Sequence, residues 1–404
     1  MPDELETLLR AQRLDFAQPP LATITARARV LRRRRRATLA GAVALTLLAA
    51  FSVGLLVPRG TPAPQVATSA SAPAGGVWTG GGITVNGLPG QPRDLPGTVR
   101  DVEFLDADRG YLLTLECAAS CTAWVSATTD GGRTWSTARA PGGFGTPARG
   151  AEPSLVVTGS RITLVGQSTG SGTGPGLARA SSADGVAWDT ADGPPAPAGT
   201  ALPGDARLVL LGGRLAALLH DGTSLVAPPA QPPLTIGWVA PVRAGDGSWW
   251  VAGTVDGHPA VAVSRDGGAS WSPTTFPGGG TPRVSFLGRD VHVAIVDPVT
   301  TPATLLGVAT SADGGAGFTG LQPVTGVTVG GDVVPLLDGR LLLVDGAGHW
   351  LVSTDRGGTW QRVSGLHPTD RLARTQTGWV AYGMSTIYTA YSVDGTTWQK
   401  LDAQ

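Results

Sequence analysis

A chain of 404 residues with 30 basic and 30 acidic side chains carries no net charge, but the two signs are unevenly spread. Residues 1–36 hold nine arginines (Arg10, Arg13, Arg27, Arg29 and Arg32 to Arg36) against Asp3, Glu4, Glu6 and Asp15, so the remainder is mildly acidic. This excludes nucleic acid as the partner of the large C-terminal part, because phosphate binding needs a clustered basic surface.

The N-terminal stretch DELETLLRAQRL places Leu5, Leu8, Leu9 and Leu14 on one stripe at helical spacing. A short amphipathic helix is expected, resting on a membrane surface beside the arginines or docking a cytoplasmic partner. Ala37 to Val57 is then a run of 21 uncharged residues. As a helix it reaches roughly 30 Å, the thickness of a bilayer's hydrocarbon core. Five arginines abut its N-terminal end, so the positive-inside rule keeps the N-terminus in the cytoplasm. The competing reading is a cleaved signal peptide. Its n-region would be unusually long, and the nearest small-residue cleavage pattern (Ala70, Ser71, Ala72) lies far past the apolar run.

Gly60 to Gly76 is Pro, Ala, Ser and Thr without periodicity, as expected of a spacer. The expected organisation is a cytoplasmic segment at 1–36, a single transmembrane helix at 37–57, a linker at 58–76 and an extracellular domain at 77–404, held on the cell membrane. Lysine occurs once, at Lys400, a bias associated with a GC-rich, actinomycete-like genome. Cys117 and Cys121 fall on the expected outer side, where disulfides persist, and a local bridge is the expected state. A redox or copper site would need a His or Met nearby, and none is close in sequence.

Glycine (59) and proline (32) are frequent enough that disorder would be the default, were it not for internal repetition. The pattern Ser/Thr-x-Asp-Gly-(x)-x-Thr/Ser-Trp recurs around Asp130, Asp184, Asp266, Asp355 (Arg-Gly in place of Gly-Gly) and Asp394, and around Asp313 with Phe318 replacing the Trp. These residues resemble the Asp-box, or BNR, repeat of sialidases, sortilin-type receptors, xyloglucanases and the photosystem assembly-factor family. The resemblance implies a β-propeller. In such a turn the Asp carboxylate accepts hydrogen bonds from turn amides, glycines take positive φ and the aromatic packs on a neighbouring strand. The six aspartates are therefore read as structural.

Asp130 to Asp184 is 54 residues, Asp184 to Asp266 is 82, and the later intervals are 47, 42 and 39. The long gap is split by Leu219-His220-Asp221-Gly222-Thr223, read as an eroded box. The fold expected is all-β, a seven-bladed propeller of four-stranded blades, or six-bladed if that box is spurious. Gly81 to Asn86 is a candidate extra strand of the last blade.

With each box between third and fourth strands, antiparallel alternation places it on the side of the first turn of its blade. The opposite side carries the second-to-third strand loops, the expected binding surface. Glu116 to Cys121, Asp256 to His258, Asp297 to Ala303, Asp345 to His349 and Gly383 to Ser385 are those loops, with Glu116, His258, Asp297 and His349 the candidate ligand contacts.

A sialidase reading would need a Tyr nucleophile assisted by Glu, and an Arg triad on the substrate carboxylate. Tyr382, Tyr388 and Tyr391 stand near the C-terminus, and Arg243, Arg283, Arg289 and Arg374 are available. However, no Glu follows Glu152, and Arg-Ile-Pro is absent, the nearest text being Arg161-Ile162-Thr163. A carboxylate pair would have to come from Asp246, Asp256, Asp290, Asp297 and Asp345, which sequence cannot pair. The five histidines (His220, His258, His292, His349 and His367) show no ligand spacing, so neither metal nor cofactor is expected. Trp249-Trp250 could line a sugar platform, although alternation sends at least one into the blade core. The expected role is a non-enzymatic binding or assembly module for a protein or glycan, with an exo-sialidase as the alternative.

Overall fold

The computed structural model describes residues 77–86, 95–144, 153–168, 176–383 and 389–401, except 119, 133, 143, 160, 367 and 376. The expected cytoplasmic segment, transmembrane helix and linker lie outside the described residues, as do Tyr388, His367 and all of the Gly383 to Ser385 loop but its first residue. Short strands of alternating small, β-branched and aromatic residues pair into seven separate sheets. Each sheet is one blade, and apolar clusters fill the spaces between successive blades. The protein is a seven-bladed, all-β propeller.

The first blade sets the pattern. Thr98–Phe104, Gly110–Cys117, Cys121–Thr128 and Ser136–Arg139 run as an antiparallel meander from the channel outward. Leu113, Leu115 and Val125 pack toward the second blade, while Val102, Phe104 and Leu112 pack toward the seventh. A strand buried on both faces in this way reads as a nearly continuous apolar run. Trp249 and Trp250 obey the same rule. Both are about 1% exposed, Trp249 packed with the third blade and Trp250 with the fifth. Neither is a sugar platform.

Six blades carry the Asp turn between third and fourth strands. In the first, Thr128 Oγ1 donates to Asp130 Oδ1 (2.9 Å) and accepts the Gly132 N–H (2.8 Å). Asp130 accepts the Thr134 N–H (2.9 Å) and hydroxyl (2.6 Å). Gly131 and Gly132 lie at φ 71° and 80°, where a Cβ is unfavourable. The hydroxyl two residues before the Asp is thus as central to the latch as the carboxylate. The turn aromatics are less buried than the repeat implies: Trp135, Trp188, Trp271, Phe318 and Trp360 are half-buried, and Trp398 alone is fully buried.

Trp398 owes this to ring closure. Ile83–Asn86 adds to the seventh blade by pairing in parallel with Thr397–Leu401, Val85 opposite Trp398, and Val77–Gly80 adds antiparallel beyond it. Ile83, Val85 and Trp350 cover the indole, Trp350 edge-on at 5.1 Å. From the sixth blade, Arg340 Nη1 donates to Gly81 O on the hairpin turn of these N-terminal strands.

The third blade departs from the pattern. Its inner strand is Arg207–Leu211, followed by Arg214–Leu218 and Leu225–Ala227. Its outer strand, Ala196–Pro197, precedes them in sequence and pairs in parallel with the last. Hydrogen bonds across blades fix its direction. Gly204, just ahead of the inner strand, accepts Arg243 Nη1 (2.7 Å) from the loop that follows the fourth blade's inner strand. Gly222 accepts Thr163 Oγ1 (2.7 Å), beside the first turn of the second blade. The inner strand therefore starts on the box side and runs opposite to its neighbours. The eroded box is corrected accordingly: Asp221 caps the turn between second and third strands. It still reaches the box side, because the blade is inverted.

Candidate functional site

The antiparallel meander puts the second-to-third strand turns of the other blades on one rim, here called the loop side. In the first blade, the turn is closed by a disulfide between Cys117 and Cys121. Glu116 accepts the Trp124 indole N–H at 3.2 Å, a second tie across the strands just behind the disulfide. Gly97 approaches so closely that a Cβ there would stand 2.3 Å from Leu115 O, and Thr98 Oγ1 donates to the same oxygen (3.4 Å).

In the sixth blade, Asp345 organises its own turn by accepting the N–H groups of Ala347 and His349, both at 2.8 Å. The His349 ring, through Nδ1, lies 3.0 Å from Asp345 Oδ2. Gly346 donates to Thr328 Oγ1 (3.0 Å) and seats against Pro302, joining this turn to the fifth-blade loop. There Asp297 accepts the Val299 N–H (2.9 Å), leaving Val299 at the tip and 88% exposed. On the other flank, Thr369 N–H donates to Gly348 O (3.0 Å), tying the turn to the start of the seventh blade.

Three of the four candidate contacts, Asp297, His349 and Glu116, thus belong to one arc over blades five, six, seven and one. His258 stands apart, its Nδ1 3.3 Å from Gly278 O in the connection between fourth and fifth blades. At the centre of the arc is a cavity of about 330 Å³ walled by Arg100, Asp345, Asp370 and Arg371, with Thr98 at its edge. Two arginines and two aspartates line it, side chains suited to hydrogen-bonding a polar ligand.

A second cavity, of about 400 Å³, occupies the central channel between the inner strands. Its charged walls are Asp101, Glu103, Arg207, Asp332 and Arg374, with Trp238 beside them. Burial lowers the pKa of Arg207, and Glu103 and Asp205 push it back up. Burial likewise lowers that of Arg374, whose guanidinium lies 4.3 Å over the Trp379 ring. Of these groups the sequence singled out only Arg374, as a candidate carboxylate clamp. The signal was there: Arg100, Asp101 and Glu103 interrupt Val99, Val102 and Phe104 in a strand otherwise read as core, and on an inner strand such residues meet the channel.

Among the described residues, those wanted for a glycosidase are committed to other contacts. Tyr382 is buried, and burial drives its hydroxyl pKa far up. Tyr391 is also buried, stacked on Phe104 at 5.1 Å and hydrogen-bonded to Thr377 at 2.8 Å. Arg283 is spent on Gly331 O (2.8 Å) and Asp332 (3.2 Å), and Arg243 on Gly204 and the Trp249 face. Asp246 accepts the Ser248 N–H (3.0 Å) and hydroxyl (2.6 Å). His292 is buried, which lowers its pKa to about 4 and keeps it neutral. Among the described residues no group of three or more His, Cys, Asp or Glu is placed to hold a metal ion. No helix among them is long and apolar enough to cross a membrane.

No protein-family model matches the chain, and no curated protein matches it. Solved structures that it resembles include YCF48 bound to a D1 peptide, 18% identical over 78% of this chain and 83% of that one, with TM-score 0.33. The NanB sialidase of Streptococcus pneumoniae is 11% identical over 74% and 67%, with TM-score 0.37. The β-propeller domain of the trilobed protease from Pyrococcus furiosus is 7% identical over 76% and 98%, with TM-score 0.45.

Proposed function

We propose that the propeller is a non-enzymatic binding module that holds a protein or glycan on its loop side. It is displayed outside the cell by the Ala37 to Val57 helix, with residues 1–36 in the cytoplasm. The observation that carries this reading is the fastened rim: the Asp345 turn, tied to the fifth-blade loop and to the start of the seventh blade, borders a polar cavity that the first blade's inner strand completes, with the disulfide turn beyond it. Rigid turns around a cavity present contacts at little entropic cost. The exo-sialidase alternative loses support from Tyr382 and Tyr391, whose hydroxyls are buried.

Site-specific photo-crosslinking in native membranes tests the face. A photoreactive residue at Val299 or His349 is expected to give discrete adducts, whereas one at Val186 on the box side gives none. Adducts from the box side alone, or turnover of a fluorogenic sialoside abolished by Tyr382→Phe, would overturn the proposal. Protease shaving of intact cells tests the orientation: the propeller should be cleaved or released and residues 1–36 protected.

A further inference from the structure

Arg374 ends the inner strand of the seventh blade on the box side, in the wall of the channel cavity. An arginine stays charged throughout the accessible pH range, and burying such a charge is costly unless a counter-charge accompanies it. Arg374 Nε and Nη1 are buried without a hydrogen-bond partner, and the guanidinium is in no ion pair among the described residues. The nearby carboxylates are committed elsewhere. Asp101 accepts Val102 N–H (2.9 Å) and Leu155 N–H (3.0 Å), Asp332 pairs with Arg283 (3.2 Å), and Glu103 neighbours Arg207. Trp379 supplies a cation–π face, which leaves the in-plane N–H groups unanswered.

Trp238 shares both this cavity and a smaller neighbouring one with Arg374, and Ala373 adds an apolar surface in the former. Arg207 enters the box-side half as well, because the inverted third blade begins its inner strand there. We infer that the box-side half of the channel is a binding site for a small organic carboxylate, its oxygens on Arg374 and its apolar body against Trp238. The planar fork of an arginine suits a carboxylate, and partial burial strengthens the pairing. The site is separate from the loop-side arc, so either can fail without the other.

Benzoate is a suitable probe, with benzyl alcohol as its neutral counterpart, titrated into the full-length chain while tryptophan fluorescence and heat are followed. Saturable benzoate binding is expected, at least about tenfold tighter than benzyl alcohol, as loss of a charge-assisted hydrogen bond implies. Arg374→Gln should weaken benzoate about tenfold or more, and Trp238→Phe should remove the fluorescence change while heat persists. Absence of saturable benzoate binding overturns the inference, as does equal binding of the alcohol. Unchanged affinity in Arg374→Gln also overturns it. The comparison of acid with alcohol needs no variant, so the test survives a misfolded Arg374→Gln.

Discussion

The third and seventh blades both take an outer strand from chain that precedes their inner strand, and both attach it in parallel to the outermost strand of their own meander. They do so to different effect. In the seventh blade three residue pairs, from Thr84 with Thr397 to Asn86 with Gln399, hold a strand whose Ile83 and Val85 seal Trp398 inside. In the third, two pairs, Ala196 with Val226 and Pro197 with Ala227, hold a strand with both residues exposed. There the stitch is polar: Gln231 accepts the Leu215 N–H and donates to its carbonyl, each at 2.9 Å. One blade is closed by apolar burial, the other by satisfying a backbone edge.

Substitutions can separate these two ways of closing a blade. Trp398→Ala should cost about 3–5 kcal/mol in urea unfolding, as for large buried aromatics. Trp360→Ala, at the matching but half-exposed position, should cost roughly half as much. Equal costs would mean that the N-terminal strands add no burial. Gln231→Ala strands both polar groups of buried Leu215 and should cost about 1–3 kcal/mol. Chain termini of the seventh blade should keep their hydrogen-exchange protection in that variant, while residues 207–227 lose theirs. Cys117→Ser with Cys121→Ser opens a loop remote from either blade's borrowed strand and should cost at most about 2 kcal/mol.

The smallest effect per residue comes from pH. Hydrogen bonds from Ser270 hold Asp266 at about 2, and those from Thr359 hold Asp355 at about 2, against an ordinary 3.8. Both carboxylates are lowered in the folded state, so their contribution is present at neutral pH and is lost as pH falls from about 4 toward 2. The urea midpoint should fall over that interval, and the double variant Asp266→Asn, Asp355→Asn should start lower and fall less.

Sequence made the box-bearing blades legible because each latch is local: hydroxyl, carboxylate and glycines sit within eight residues, and the spacing counts the turns. The same locality hid the third blade's inversion. Asp221 accepts the N–H groups of Thr223 (2.8 Å) and Ser224 (2.7 Å) much as a box Asp does, and nothing within a turn reports which strands it joins. Direction is set by contacts such as Gly204 with Arg243, 39 positions apart. The candidate loops were legible as turns, but their convergence depends on contacts such as Pro302 against Gly346. The channel charges were masked by their apolar neighbours.

Ring closure also has a history in time. Thr84 pairs with Thr397, so the edge that receives the N-terminal strands does not exist until residues 397–401 have been made. At ordinary rates of synthesis that delay is on the order of 15–60 s. Through it Ile83 and Val85 must wait without their final sheet partner, following in sequence the proposed membrane anchor and linker. The strand at 397–401 completes the ring, and a chain cut before Trp398 would leave residues 83–86 unclasped.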